Sequence, residues 1–143
     1  MEILKECIFC NIVNKKSSAH IIFQDEYVTS FLDINPITKG HTLLIPNKHI
    51  ERLNLIKDHK LSSHLMDSLI QVSNMLVQSG ICEDFSIVQD NGEQADQDVN
   101  HLHFHIIPRY IMDGVNLNLE TNKIYSNKES LYNTWQEIQK SMN

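Results

Sequence analysis

No stretch of the chain approaches 18 consecutive apolar residues, so nothing in it reads as a membrane-spanning helix. Basic residues are in deficit. Twelve Lys and Arg against 18 Asp and Glu give a net charge of −6, which argues against a polybasic face for duplex nucleic acid or anionic lipid. A small phosphate pocket is still compatible with that balance. With four glycines and three prolines the chain has no linker rich in either, and it shows no internal repeat or low-complexity tract. Its three cysteines are too few, and odd in number, for a secreted disulfide framework. The opening MEILKECIFC carries charges where a signal peptide would be apolar. These absences lead to the expectation of a soluble, cytoplasmic protein with neither membrane nor duplex nucleic acid as a partner.

What is present suits one globular domain spanning residues 1–143. Apolar residues make up 41% and charged residues 21% of the 143, close to the globular average. A chain of this size buries roughly 70% of its unfolded surface, enough for a core without staples. Ile21–Phe23 and Tyr27–Leu32, separated by Gln24-Asp25-Glu26, read as two strands joined by a polar turn. After the breakers Asn35-Pro36 and Lys39-Gly40, residues His41–Ile45 read as a mostly buried strand ending at Pro46. Leu61, Leu65, Leu69, Val72 and Leu76 recur at steps of four and three, which predicts a helix, with Asp58 as N-cap and Gly80 as its stop. Phe85–Gln89 is a short strand, Asp90–Asp98 a polar loop and Val99–Ile107 a longer strand. Leu131, Trp135, Ile138 and Met142 mark a second amphipathic helix, with Ser126 and Glu129 as a possible capping box. The fold class expected is α+β, an antiparallel sheet with two helices packed on it.

The strand Val99–Ile107 carries the chemistry. A period of two sends Leu102, Phe104 and Ile106 to one face and His101, His103 and His105 to the other, with successive imidazoles about 7 Å apart at the backbone. Two chemical readings stay open beside that of an exposed polar face. Imidazoles bind zinc, although a tripod whose outer members are roughly 13 Å apart is hard to close. Alternatively, a central imidazole attacks with one ring nitrogen while the other is held by a fixed partner, and its neighbours stabilise charge on a phosphoryl group.

His-x-His-x-His followed by two apolar residues, Pro and Arg resembles the signature of the histidine triad (HIT) family of nucleotide hydrolases and transferases. Cys7-Ile-Phe-Cys10, Phe31-Leu-Asp33-Ile-Asn-Pro36, Lys39-Gly-His41-Thr-Leu-Leu-Ile-Pro46 and Lys48-His49-Ile50 follow in the family's order and spacing. The likeness is closest to bacterial-type members with an N-terminal Cys-x-x-Cys, and it covers about residues 7–110, leaving 111–143 as a tail and helix.

The resemblance implies a five-stranded sheet extended across a homodimer, and a purine nucleotide substrate. A nucleoside phosphoramidate or a dinucleoside polyphosphate would be cleaved at the α-phosphate through a covalent nucleotidyl-histidine. His103 would be the nucleophile, its Nδ1–H held by a main-chain carbonyl, with His105, His41 and His101 completing the catalytic set. Asp33 would accept from the ribose hydroxyls, and Phe9, Ile12, Phe31, Ile34 and Leu43 would line the base slot. Cys7, Cys10, His49 and His101 match a structural zinc site found in part of the family, and two thiolates with two imidazoles would close a tetrahedral centre. Cys7 and Cys10 also admit readings as a redox pair or as free thiols. No organic cofactor is implied.

The phosphate-facing loop departs from the family pattern. Gln97 matches, but Asp90 stands in place of the usual Asn, Asp96 in place of a Gly, and Asp98 in place of Ser, Thr or Glu. Four of the nine residues from Asp90 to Asp98 are acidic. Losing a glycine at position 96 is expected to hinder positive φ, and the added carboxylates are expected to repel phosphate unless they turn to solvent. A protonated Asp98 would meet the leaving group. If the loop defeats catalysis, the alternative is a nucleotide-binding sensor or interaction protein.

Overall fold

The computed structural model describes residues 7–117 and 127–142, which form two compact units dividing between Asp113 and Gly114. In chain order the first unit holds helix α1 (Ile8–Val13), strands β1 (Ile21–Gln24), β2 (Val28–Leu32) and β3 (Thr42–Pro46), helix α2 (His59–Gln78), then β4 (Asp84–Val88) and β5 (Phe104–Arg109). The strands form one sheet in the order β1-β2-β3-β5-β4, each neighbouring pair antiparallel. Three strands run as a meander, and α2 then carries the chain to the far edge before β5 returns to the centre.

Alternation along the strands sorts side chains between two cores. Leu44, Leu102 and Ile106 pack with Val28 against the apolar stripe Leu61, Leu65, Leu69, Val72 and Leu76 of α2. Leu43, Ile45 and Phe31 face the opposite side, where Phe9 and Ile12 of α1 close over them. The stripe read from the sequence is therefore the buried face of α2. Its ends are also as expected: the Asp58 carboxylate accepts from Lys60 N. Gly80, at φ +83°, lets Gly80 N donate to Val77 O and Ile81 N to Leu76 O, the two bonds of a Schellman stop.

Two features differ from the sequence reading. Helix α1 was not anticipated: at six residues it is too short to show a period, and Cys7 caps it by accepting from Cys10 N through sulfur. The strand expected over Val99–Ile107 begins only at Phe104. Upstream of it the main chain is engaged elsewhere, with Leu102 N donating to Ile50 O and the His101 carbonyl accepting from the His103 ring. The side chains still alternate, so Leu102 is buried with Ile106 although it lies outside the ladder.

The second unit contains helix α3 (Lys128–Ser141), capped by the Asn127 side chain. Ser126, expected to form a capping box, lies outside the described residues. Leu131, Trp135, Ile138 and Met142 are each more than half exposed, so the amphipathic stripe is present but no residue of the helix is buried.

Candidate active site and candidate metal centre

The α1 side of the sheet carries a cavity of about 200 Å³ lined by Phe9, Ile12, Phe31, Ile34 and Leu43 and by the polar groups Asp33, Asp98, His103 and His105. Its wall follows from the strand register. Leu43 pairs with His105 across β3 and β5, and His41 lies diagonally behind that pair on the same face.

His103 and His105, with ring centroids 5.0 Å apart, are held by opposite kinds of partner. His103 Nδ1 lies 2.7 Å from the His101 carbonyl. A carbonyl only accepts, so Nδ1 carries the proton and Nε2 is the nitrogen whose lone pair can be made available. For His105 the order is reversed. Ile37 N donates to His41 Nδ1 at 3.1 Å, which leaves a neutral His41 with its proton on Nε2. That nitrogen donates to His105 Nδ1 at 2.9 Å, so a neutral His105 carries its own proton on Nε2. One imidazole of the pair is set up as a lone-pair donor and its neighbour as an N–H donor.

Burial disfavours charge on the donor side. It pushes the His41 imidazole below its ordinary value against the opposing pull of Asp33. His105 is lowered by burial first and then by His103 and His41, with Asp98 and Asp33 working the other way. Asp33 Oδ2 lies 3.7 Å from His41 Nε2, while its Oδ1 accepts from Asn35 N.

Asp98 reaches the same pocket. Its Oδ1 is 3.2 Å from His103 Nε2, and its side chain is 75% exposed. The contact puts a carboxylate at the Nε2 edge of His103, on a side chain that is mostly in solvent.

The other loop residues stand apart from the cavity. Gln97 is spent on the main chain: its Oε1 accepts from Gly92 N and its Nε2 donates to Glu51 O and Val99 O. Asp90 contributes its carbonyl to Gln89. Neither Asp90 nor Gln97 lines the cavity as described. The hindrance expected at position 96 does not arise, because Asp96 itself adopts φ +63°, a conformation that Asp tolerates better than most residues.

Behind the cavity lies a second cluster. The ligand atoms of Cys7, Cys10, His49 and His101 all fall within 4.8 Å of one another. Both sulfurs come from the first turn of α1. His101 Nδ1 is 3.4 Å from Cys7 Sγ and 3.6 Å from Cys10 Sγ, and His49 Nδ1 is 3.3 Å from Cys10 Sγ.

The donor chemistry fits a metal ion. His101 Nε2 donates to the Pro46 carbonyl at 2.8 Å, which leaves the Nδ1 lone pair facing the sulfurs, the usual outer bond of a metal-bound imidazole. Burial, with contributions from His49 and His103, takes His101 down to about 4 despite the bond to Pro46. Burial and the neighbouring Cys7 push the Cys10 thiol up to about 12, so without a cation the thiolate is strongly disfavoured. His101, expected in both the catalytic and the metal set, turns its ring to this cluster and meets His103 through its carbonyl.

Sequence reasoning missed the groups that fix the rings. The Ile37 amide and the carbonyls of Pro46 and His101 belong to the main chain and leave no residue-type signal. Ile8, Ser18, Ala19, Leu32 and Val99, which complete the cavity wall, carry no motif.

The HIT domain model matches residues 14–112. An uncharacterised HIT-like protein of Methanocaldococcus jannaschii is 46% identical over 110 residues, 76% of this chain and 82% of that one. An adenosine 5′-monophosphoramidase of Saccharomyces cerevisiae is 31% identical over 103 residues, 72% of this chain and 62% of that one. Among solved structures, a HIT family protein from Bacillus subtilis superposes with a TM-score of 0.85 at 34% identity, covering 94% and 96% of the two chains. A zinc-bound histidine triad family protein from Mycobacterium smegmatis gives 0.72 at 29% identity, covering 89% and 88%. With that match over most of its length, and with His103 and His105 of the triad facing one cavity, the chain belongs to the histidine triad family.

Proposed function

We propose that this protein is a cytoplasmic, homodimeric, purine nucleotide-binding hydrolase or transferase that cleaves at the α-phosphate through a covalent nucleotidyl intermediate on His103. The observation that carries this reading is the opposed pair of rings in one cavity. His103 is anchored through Nδ1–H, and His105 carries its proton on Nε2.

The base lies among Phe9, Ile12, Phe31, Ile34 and Leu43, and Asp33 accepts from the ribose hydroxyls. His103 Nε2 attacks the α-phosphorus, the bond from phosphorus to the leaving group breaks, and His105 Nε2–H bonds a phosphoryl oxygen as charge develops on it. Asp98 must leave Nε2 for this to happen, and in its protonated form it gives its proton to the departing group. Water then attacks the phosphorus and gives one proton to the Asp98 carboxylate, the P–N bond breaks, and the nucleoside monophosphate is released with His103 and the protonated Asp98 restored. The named activity of the yeast relative supports a phosphoramidate as the first substrate to test.

Cys7, Cys10, His49 and His101 would hold a structural Zn²⁺, which when bound would tie α1 to the segments after β3 and before β5. Such a closed four-ligand site leaves the attack to His103.

The Asp98 carboxylate at the attacking nitrogen favours a second reading, a sensor that binds nucleotide and turns it over poorly. Hydrolysis of adenosine 5′-phosphoramidate separates the two. Turnover by the wild type, lost by about 10⁴-fold or more in His103→Ala, is the expected result. A folded wild type that binds AMP and gives no turnover would overturn the enzyme reading.

A further inference from the structure

The tautomer of His105 depends on a group outside the histidines. The segment from Asp33 to His41 is a closed loop, with Asp33 N donating to His41 O at 2.9 Å across its base. At its head Asn35 N is taken by Asp33 and Pro36 has no N–H to give. The next amide, that of Ile37, therefore meets His41 Nδ1.

An amide in an exposed loop holds such a position only if the loop is fastened, and Thr38 fastens it. Thr38 Oγ1 donates to the Pro108 carbonyl at 2.7 Å, and Thr38 O accepts from His41 N at 3.1 Å. Pro108 lies on β5 three residues beyond His105. The amide that sets the relay and the imidazole that receives its proton are thus referenced to one strand. Close approach of the loop to that strand needs Gly40, at φ +88°, where a Cβ would come within 2.6 Å of the Ile81 side chain and 3.2 Å of Pro108. Tyr110 Oη donates to Lys39 O and adds a second fastening at the loop's end.

We infer that Thr38 is a positioning residue for the phosphoryl-facing proton of His105, acting through the Ile37 amide and His41. The inference rests on the catalytic reading above for its effect on rate, but not for its effect on the rings. With the latch in place, Ile37 N–H forbids a proton on His41 Nδ1. His41 then donates from Nε2, and His105 keeps its Nε2 proton for substrate. With the latch released, His41 can protonate at Nδ1 and accept at Nε2. His105 then donates from Nδ1 and offers a bare Nε2 to the phosphoryl oxygen, where it repels.

The test compares wild type, Thr38→Val and Thr38→Ser. Long-range ¹H–¹⁵N correlation spectra report which ring nitrogen is protonated. Wild type and Thr38→Ser should show Nε2–H for both His41 and His105. Thr38→Val should show the Nδ1–H form growing in both rings together, with kcat for adenosine 5′-phosphoramidate falling about tenfold and KM little changed.

Rings locked as Nε2–H in Thr38→Val, or a tautomer shift with kcat unchanged, would overturn the inference. If the wild type has no turnover the enzyme reading fails, and the ring spectra still decide the latch. A scalar coupling between the Ile37 amide nitrogen and His41 Nδ1 in the wild type needs no variant. Its absence would overturn the inference even if Thr38→Val failed to fold.

Discussion

Two clusters of histidine lie side by side in this protein and are set for different chemistry. In Cys7, Cys10, His49 and His101, the outer nitrogen of His101 meets the Pro46 carbonyl, so the inner one offers a lone pair to the sulfurs. In Asp33, His41 and His105, the outer nitrogen of His41 meets the Ile37 amide, so the inner one offers a proton. The second cluster also has its ligand atoms within 4.8 Å of one another. Binding a cation through His41 Nε2 would require either breaking the Ile37 bond or forming an imidazolate, so the cluster suits proton donation and not a metal. Both sets are built of metal-ligating residue types at similar separations, so proximity does not separate the two sites. One main-chain group apiece does.

Breaking the donor side should have the largest effect. His41→Phe removes the proton donor to His105, and kcat should fall about 10²–10³-fold with metal content unchanged. Steady-state kinetics beside metal analysis checks both halves, and a loss of metal from this variant would show that the clusters are not independent.

Breaking the ligand side should act on stability and nucleotide affinity. Phe9, edge-on to both His101 and His103, and Ile12 both sit on α1, whose first turn carries the two cysteines. Chelation, or Cys10→Ser, should lower Tm by roughly 5–10 °C, taking zinc at about 100 times its Kd as the bound reference. It should also weaken AMP binding several-fold, with kcat at saturation much less affected. Calorimetry and nucleotide titration would follow these, and an unchanged Tm would refute a structural role for the metal.

The smallest effect is that of pH. His41 and His105 are lowered by burial, so below about 6.5, the value of a free imidazole, the unfolded chain binds protons that the folded chain refuses. Their contribution is present above that pH and is lost as pH falls toward the lowered folded values. The urea midpoint should therefore drop as pH falls below about 6.5 in the wild type, and less in His41→Phe. A midpoint that rose on acidification would mean that these rings are charged in the fold.

Most of the fold was legible because its signals are periodic. The α2 stripe, the Asp58 cap and Gly80 stop, and the alternation of Leu102 and Ile106 against the triad all stand where the pattern put them. The upstream half of the histidine strand was misread. Alternation marks which face a side chain takes, not whether the main chain stays in the ladder, and here His103 and Ile50 claim the groups that a ladder would use. Helix α1 leaves no periodic signal because its six residues make fewer than two turns. Within the site, the triad, Asp33, the apolar wall and the Cys/His cluster were readable as side chains. The Ile37 amide, the Pro46 carbonyl and the fastening by Thr38 were not, since they depend on where a loop closes. Gln97 and Asp90 were expected at the nucleotide, yet Gln97 is occupied in holding its own loop.

In the proposed mechanism His103 attacks while His41 and His105 supply protons. Rapid-quench mass spectrometry during turnover of adenosine 5′-phosphoramidate tests it most directly. A transient AMP adduct that maps to His103 and is absent from His103→Ala is expected. Turnover with no adduct, or an adduct on any other residue, would contradict it.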